Sequence, residues 1–407
     1  MPVRFAVPAG FEPQSEAWGA VELERLAAAL ARRGTEALAD VSLDRRLEVW
    51  SQTIAVFLDP ESAERRALFP GLLETSGLSA EGLCEGLEIV LEGAAERPAR
   101  ALAATLPPPR RRGLAGVVLA GNIPGLAVQS VLPALLLGRP LLLKSASAEP
   151  LFAPALLAAL AAREPGLGQG FAAVMFDGGK PDLVASAFAS TDRLLAYGGG
   201  DAISSLTARF GNRLVACGPK ASVALVGTGI DAVLVARKLA RDIALFDQRG
   251  CLSVQAVYTT YPAGELADAL EWALAIEHRR LPPGPIPPST AALVQQLRGA
   301  AALRARRLPE LPIAAGTVLI EPEPRFTPSP GLRTVCVHPL GELRQALAAL
   351  EPWKGRIQGS ALAGDEAWAL APELEACGVS RLAAAGELQA VDAGWHNGGL
   401  DPMALFA

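Results

Sequence analysis

From Gly113 onward, short apolar runs alternate with helical stretches, and this alternation limits the fold more than any other feature of the chain. The runs are LAGVVLA, RPLLLKSA, FAAVMFDG, DRLLAYGG, NRLVACG and SVALVG, separated by Gly, Pro or Asp and by stretches such as LFAPALLAALAAR. Short runs that are apolar throughout are typical of strands buried on both faces. Repeated strand–helix–strand units therefore predict an α/β fold with a parallel sheet covered by helices on both sides.

The first hundred residues follow a different pattern. Charged and apolar positions alternate at helical spacing between residues 15 and 100, as in VELERLAAALARR and EGLCEGLEIVLEG. This spacing predicts an N-terminal helical region. The segment LPPPRRR at residues 106–112 is rich in Pro and Arg and predicts a joint before the α/β part begins.

Length and composition exclude several classes of protein. A chain of 407 residues is long enough for two or three domains with a large core. Lys and Arg number 37 against 42 Asp and Glu, with no long basic block, so nucleic acid is not an expected partner. The five cysteines form no CxxC pair and indicate a reducing compartment. Acidic residues near the N-terminus replace the apolar stretch of a signal peptide, and we expect a cytoplasmic protein.

One uncharged run, between Arg112 and Arg139, is long enough by count to cross a bilayer of about 30 Å. Asn122, Pro124 and Gln129 interrupt it, together with Ser130, Pro133 and five glycines. This content favours a buried strand, a turn and a helix over a lipid-facing span. We expect no membrane-spanning segment.

Cys251 is the candidate nucleophile. Asp231 can cap a helix that runs to about Phe246 and that Gly250 can end, and LSVQAVYTT then predicts a strand. Cys251 is thereby expected on a turn, with Arg249 nearby to favour the thiolate. The alternative is that Cys251 is a small buried hydrophobic residue.

Ligands of such sheets bind beyond the carboxyl ends of the strands, and four segments stand out there: GNIPG, KSAS, GGGD and the loop that holds Cys251. The order GNIPG, LLLKSAS, AYGGGD, ACGPKASVALV and FDQRGCLSVQAVY resembles the aldehyde dehydrogenase superfamily. Within it the chain is most similar to the acyl-CoA reductase family, which includes the fatty acid reductase component of bacterial bioluminescence. The resemblance covers about residues 115–260, and the segment WHNGG near the C-terminus shows a weaker similarity.

The resemblance implies an aldehyde dehydrogenase-like fold. It divides the chain into a helical region at residues 1–110, a Rossmann-like nicotinamide cofactor domain at 111–220, a smaller α/β catalytic domain at 221–385 and a C-terminal segment at 386–407. It further implies a homo-oligomer.

The resemblance also assigns roles at the active site. Cys251 matches the superfamily nucleophile, and Asn122 matches the Asn whose amide stabilises the oxyanion, although an Asn that only turns the chain before Pro124 explains that position equally well. Gly198 and Gly199 would let a pyrophosphate approach the start of a helix, or would form a flexible turn.

Two positions bear on the cofactor. Lys144 matches the superfamily Lys that contacts the adenosine ribose, although a solvated strand end is the alternative. Ser147 stands where NAD-preferring aldehyde dehydrogenases carry a Glu that holds the ribose 2′-hydroxyl. The loss of that carboxylate favours NADPH, while Glu149 lies near enough to keep NADH open.

A second glycine motif competes for the nucleotide. GTGIDA, residues 227–232, follows a predicted strand, precedes a helix and satisfies G-x-G-x-x-A, with Asp247 twenty residues after Gly227. Asp247 falls just past the helix and not at the end of a second strand. The resemblance implies a dinucleotide site without this fingerprint, and we interpret the segment as a turn.

One position at which this chain differs from hydrolytic aldehyde dehydrogenases indicates the type of reaction. They carry a Glu as the base that activates water, where this chain has Ala216 beside Cys217. Without that base the acyl group is expected to exchange with a thiol. We predict reduction of an acyl thioester, from CoA or an acyl carrier, to an aldehyde by NAD(P)H, with an acyl-transferring enzyme as an additional partner.

Three alternatives stay open. They are an acyl-phosphate or semialdehyde dehydrogenase of the same superfamily, a nucleotide-independent Cys acyltransferase or thioesterase, and a non-catalytic binding protein. No metal is expected, because His278, His338 and His396 lack neighbours at metal-ligand spacing. His396 in the late GWHNGG segment either approaches the active site or is a C-terminal turn residue.

Overall fold

The computed structural model describes residues 4–15, 17–107, 113–304 and 309–406, and these form two parallel sheets with helices on their faces. The two sheets match the predicted α/β fold. The Pro-rich joint falls largely outside the described residues, at 108–112, and the domain boundaries stay predictions.

The N-terminal region is helical, as predicted. Its helices are α1 (Ala20–Ala29), α2 (Thr35–Ala39), α3 (Leu43–Leu58), α4 (Ala63–Ser76), α5 (Ala80–Glu92) and α6 (Glu96–Ala103). Three of them begin after a serine, because Ser42, Ser62 and Ser79 each accept a hydrogen bond from the backbone N–H three residues later. A continuous apolar core joins these helices to the first sheet.

The first sheet has the strand order β3-β2-β1-β4-β5. Its elements in chain order are β1 (Leu114–Val118), α7 (Val128–Leu137), β2 (Leu141–Lys144), α8 (Phe152–Arg163), α9 (Pro165–Gly170), β3 (Phe171–Val174), α10 (Pro181–Ala187), β4 (Thr191–Tyr197), α11 (Gly200–Phe210) and β5 (Leu214–Cys217). The uncharged run at 113–138 forms β1, a loop and the buried helix α7, as its content predicted. In the part of the chain that is described, no helix has the length and apolar character to cross a membrane.

The second sheet has the order β11-β10-β6-β7-β9-β8. Its elements are β6 (Ala221–Val226), α12 (Ala232–Ala244), β7 (Val254–Thr259), α13 (Ala263–Arg280), α14 (Pro288–Leu303), β8 (Thr317–Ile320), β9 (Thr334–Pro339), α15 (Gln345–Leu350), β10 (Ile357–Ala363), α16 (Asp365–Trp368), α17 (Ala371–Ala376) and β11 (Arg381–Ala384).

The chain then returns to the first sheet. The last helix, α18 (Pro402–Phe406), packs on α7, where Phe406 is buried and its carbonyl accepts a hydrogen bond from Arg139 Nη1 at 2.8 Å. Residues 386–401 therefore pass from the second sheet to the first. This route brings the WHNGG segment to the space between the sheets.

The GTGIDA segment links β6 to α12 in the second sheet, and its Asp231 caps α12 by accepting a hydrogen bond from Leu234 N at 3.0 Å. Asp247 binds Arg333 Nη2 at 2.9 Å and Gly284 N at 3.0 Å. Both carboxylates are engaged inside the protein, which supports the interpretation of this segment as a turn.

Candidate active site

A cavity of about 380 Å³ lies between the two sheets and contains most of the predicted site. It brings together Asn122 after β1, Gly198 and Gly199 after β4, and Cys251 before β7. The first sheet presents the carboxyl ends of its strands, as predicted. Cys251 instead lies at the amino end of its strand, so the second sheet faces the cavity from the opposite direction.

The turn that carries Cys251 begins with an unusual backbone. The prediction that Gly250 ends the preceding helix is wrong, because α12 ends at Ala244 and Phe246, Asp247 and Gln248 then have positive φ angles of 55°, 51° and 61°. Non-glycine residues in this conformation cost roughly 1–3 kcal/mol each and persist only where the surroundings hold them.

Side-chain contacts hold this turn. Besides the contacts of Asp247, Gln248 Nε2 donates to Val254 O and Thr334 O, both at 2.8 Å, and Gln248 Oε1 accepts from Thr334 N at 2.9 Å. Phe246 packs so tightly on α5 that a Cβ at Gly86 would lie 2.4 Å from its ring. Contacts on three sides thus hold the sequence FDQ in the conformation that places Cys251.

Two hydrogen bonds fix the turn to both sheets. Ser222 Oγ of β6 donates to Cys251 O at 2.8 Å, and Asn122 Nδ2 donates to Arg249 O at 2.9 Å. The Asn122 loop is itself held against the KSAS loop, because a Cβ at Gly121 would meet Ala148 Cβ at 2.9 Å. Asn122 has two amide N–H groups, and the hydrogen bond to Arg249 O uses one of them.

The electrostatics of Cys251 differ from the prediction. Burial raises the pKa of the Cys251 thiol to about 11, against the opposing effects of its own backbone N–H, the Lys220 ammonium and the Leu252 N–H. Arg249 is not the activating cation, because its Nη1 donates to Ser76 O at 2.7 Å and its Nε to Phe246 O at 3.2 Å. Lys220 takes that place from the GPK turn between β5 and β6.

The pH dependence of alkylation tests this assignment. With a raised thiol pKa, we expect the rate at which iodoacetamide modifies Cys251 to rise about tenfold per pH unit between pH 7 and 10. Replacing Lys220 by Met should slow the reaction at each pH, because loss of the ammonium raises the pKa further. Peptide mass mapping separates Cys251 from the other four cysteines, and a plateau near pH 8 would contradict the raised pKa.

Lys144 and Ser147 lie outside this cavity, at the end of the adjacent strand β2. Lys144 is buried, with its Nζ 5.1 Å from the centre of the Phe176 ring, and burial lowers its pKa despite the nearby Asp177. Ser147 is exposed. From β2 through β1 and β4 to β5, the strand ends span about 15 Å at the usual strand spacing, which suits an extended dinucleotide.

Glu149 faces into the protein. Its Oε1 accepts hydrogen bonds from Leu151 N at 3.0 Å and Phe152 N at 2.7 Å, at the start of α8. Burial raises the pKa of this carboxyl to about 7, although the two backbone N–H groups oppose the effect. The Glu149 side chain is thus bound to the backbone at the start of α8.

Open space over α11 is consistent with a cofactor phosphate. A Cβ at Gly199 or Gly200 would meet no atom within 4 Å, and the first backbone N–H groups of α11 point to this space. The residues present therefore fit a dinucleotide, with its pyrophosphate at Gly198–Gly200 and its adenosine end towards Lys144.

Several lining residues were not predicted. Gln255, Gln358 and Asn397 face the cavity, and so do Tyr197 and Cys217. His396 is exposed and does not line it, so the WHNGG segment reaches the site through Asn397. The GPK and WHNGG motifs were the available signals for Lys220 and Asn397. Among the described residues, no three His, Cys, Asp or Glu side chains are grouped as a metal site.

A larger cavity of about 580 Å³ lies elsewhere, between α4, α8 and the N-terminal segment. Its walls are mainly alanine and other apolar side chains, with an ion pair of Arg163 and Glu64 at 3.1 Å. Its described lining residues include no Cys, Ser or His. The smaller cavity is the one equipped for covalent chemistry.

Comparisons with known proteins show the family of the chain. The family model described as acyl-CoA reductase (LuxC) matches residues 108–407. Long-chain acyl-protein thioester reductase 2 of Photobacterium leiognathi is 32% identical over 148 residues, and a long-chain acyl-protein thioester reductase of Photobacterium phosphoreum is 30% identical over 146 residues. Each match covers 35% of this chain and 30% of the relative's length.

Solved structures share the fold. Aldehyde dehydrogenase 21 from Physcomitrella patens, in complex with succinate, superimposes with a TM-score of 0.73 at 15% identity, over 96% of this chain and 89% of that one. Aldehyde dehydrogenase C from Pseudomonas syringae, in complex with NAD+ and octanal, gives a TM-score of 0.71 at 14% identity, over 94% and 86%. The aldehyde dehydrogenase-like fold is thus confirmed.

Proposed function

The chain belongs to the acyl-CoA reductase (LuxC) family, and on this premise we propose that it reduces an acyl thioester to an aldehyde with a nicotinamide cofactor, through an acyl group held on Cys251. The observation that carries the proposal is the shared cavity of Cys251, Asn122 and the Gly198–Gly199 turn. A nucleophile, an amide donor and a phosphate-binding turn meet there.

The residues of the chain account for the covalent steps. The Cys251 sulfur attacks the thioester carbon, the bond from that carbon to the carrier sulfur breaks, and the Cys251 proton leaves with the carrier thiol. The second N–H of Asn122 stabilises the oxyanion that forms on the way. A bound nicotinamide supplies the hydride. The acyl carbon on Cys251 takes up that hydride and becomes a thiohemiacetal anion. The bond from this carbon to the Cys251 sulfur then breaks, the aldehyde leaves, and the sulfur takes one proton from water to restore the thiol.

The lining of the cavity supports reduction over hydrolysis. None of the described residues that line it is a carboxylate, and Ala216 and Cys217 occupy the position of the hydrolytic base. Burial raises the pKa of the Cys217 thiol to about 11, so Cys217 is a poor base at neutral pH. No carboxylate of the described lining therefore activates water to attack an acyl group on Cys251.

NADPH is the preferred cofactor in this proposal. Ser147 is exposed and uncharged, and Glu149 is occupied by the backbone of α8. Neither places a carboxylate where it would repel a 2′-phosphate. NADH is the alternative, and the relatives crystallised with NAD+ show that the fold accepts it.

A single substitution tests the cofactor preference. Replacing Ser147 by Glu should raise the Kd for NADPH about tenfold or more and favour NADH, because the new carboxylate repels the 2′-phosphate. Glu149→Gln is the matched control and should leave the NADPH-to-NADH ratio unchanged. Fluorescence titration measures both, and a large effect of Glu149→Gln alone would place that side chain at the ribose instead.

The activity itself is tested by following NADPH and NADH oxidation with short, medium and long acyl-CoA substrates. We expect NADPH consumption together with aldehyde formation. Acylation of Cys251 without consumption of either cofactor would favour the nucleotide-independent acyltransferase. Acyl transfer from a partner enzyme, a cytoplasmic location and a homo-oligomer belong to the same proposal, and light scattering tests the last.

A further inference from the structure

Both strands that flank β6 carry one extra residue where they begin. In β10, Ile357 pairs with Ala221 and Gly359 with Ser222, so Gln358 is extra. In β7, Val254 pairs with Ser222 and Ala256 with Val223, so Gln255 is extra. Such bulges redirect a side chain, and both glutamines line the cavity of Cys251.

The amide nitrogen of Gln358 has a hydrogen-bond partner among the described residues, and its amide oxygen has none. Its Nε2 donates to Asn397 Oδ1 at 2.8 Å, and Asn397 Nδ2 donates in turn to Gln129 Oε1 at 3.3 Å. The residue is 1% exposed, and its Oε1 is buried with no hydrogen-bond partner among the described residues. A buried acceptor without a partner is rare in native proteins. A ligand donor in the cavity would satisfy it.

The surroundings limit the chemistry of that donor. The charged side chains of the described lining are Lys220 and Arg249, both cationic, so a cationic ligand group is disfavoured. Gln255 Oε1 accepts from Ser329 N at 3.0 Å, which leaves the Gln255 amide N–H groups as donors on the same wall. A buried acceptor without a partner among the described residues, in a lining whose charges are cationic, matches a neutral group with an N–H.

We propose that Gln358 Oε1 accepts a hydrogen bond from an amide N–H of a molecule bound beside Cys251. The inference rests on the proposed function, which brings two such amides to this cavity. One is the carboxamide of the nicotinamide, and the other is the first amide of the arm that carries the thioester. Gln358 is then a specificity residue of the site, positioned by Asn397 and Gln129.

Two pairs of probes distinguish these sources. The Kd values of NADPH and of its reduced 3-acetylpyridine analogue differ by the carboxamide N–H, and calorimetry measures both. The rates at which octanoyl-N-acetylcysteamine and S-butyl octanethioate acylate Cys251 differ by the carrier amide, and intact-mass analysis follows them. The variants are Gln358→Met, which removes the acceptor, and Gln358→Glu, which keeps it. Asn397→Ala removes the side chain that positions Gln358, together with its hydrogen bonds to Gln358 and Gln129.

In one pair, the wild type should favour the amide-bearing probe by about fivefold to tenfold, the usual effect of one hydrogen bond. Gln358→Met should remove that preference, Gln358→Glu should keep it, and Asn397→Ala should weaken it, because Asn397 positions Gln358. No preference in either pair, or a preference that survives Gln358→Met, would overturn the inference while leaving the proposed function intact. A wild type that neither binds NADPH nor becomes acylated would overturn the proposed function, and this inference with it.

Discussion

Cys251→Ala is expected to abolish the acyl adduct and to lower NADPH-dependent reduction by about 10³-fold or more, because the variant has no sulfur to hold the acyl group. Intact-mass analysis after incubation with acyl-CoA detects the adduct, and absorbance at 340 nm follows NADPH. The variant should still bind NADPH, since the proposed cofactor site is formed mainly by Gly198–Gly200 and Lys144 and not by Cys251.

Cys217→Ala is the matched control for this result. Cys217 lines the same cavity, and burial raises its thiol pKa to the same value of about 11. It lies at the end of β5, without the strained turn and the Asn122 contact that position Cys251. The control should keep the adduct. An adduct that persists in Cys251→Ala and disappears in Cys217→Ala would reassign the nucleophile.

Asn122→Ala carries the second-largest expected effect. Loss of one oxyanion donor should lower kcat by about 10²- to 10³-fold with little change in KM, because the lost interaction is strongest in the transition state. Steady-state kinetics with a saturating acyl-CoA measures both parameters.

Asn122 also donates a hydrogen bond to Arg249 O, in the turn that carries Cys251. A separate measurement must therefore show whether Asn122→Ala changes the conformation of that turn. Contacts of Ser222, Asp247 and Gln248 hold the turn independently. We therefore expect the iodoacetamide rate at Cys251 and the Tm to stay close to wild type. A kcat loss matched by an equal loss of alkylation would show that Asn122 only positions the turn.

The sequence predicted the fold because local patterns determined it. Apolar runs gave the strands of the first sheet and β6, helical spacing gave the N-terminal helices, and Asp231 caps α12 as predicted. The meeting of Asn122, Gly198 and Cys251 followed from the order of motifs. That order is a property of the family, and single motifs such as GTGIDA would have been misleading alone.

The directions in which side chains point could not be predicted from the sequence. Arg249 precedes Cys251 by two residues, yet its guanidinium turns to the end of α4, and the cation that acts on the thiol is Lys220, thirty-one positions earlier. Glu149 is close to Ser147 in sequence but caps α8. Such contacts depend on which elements pack together, and periodicity does not encode them.

The segment that contains WHNGG illustrates the same limit of prediction from sequence. His396 was the residue that chemistry singled out, but the chain presents its neighbour Asn397 to the cavity because α18 docks on α7 and fixes the path of the return segment. Likewise, the bulges that redirect Gln255 and Gln358 leave no mark in a strand pattern. They are visible only in the register with β6.

A single-turnover experiment tests the reductive release of an acyl group from Cys251 most directly. Enzyme acylated by acyl-CoA and freed of excess substrate is mixed with NADPH in the absence of added thiol, and the adduct, the NADPH consumed and the aldehyde are measured together. We predict loss of the adduct with one aldehyde formed for each NADPH consumed. An adduct that persists with NADPH, or that leaves as the free acid with no NADPH consumed, would contradict the proposed reduction.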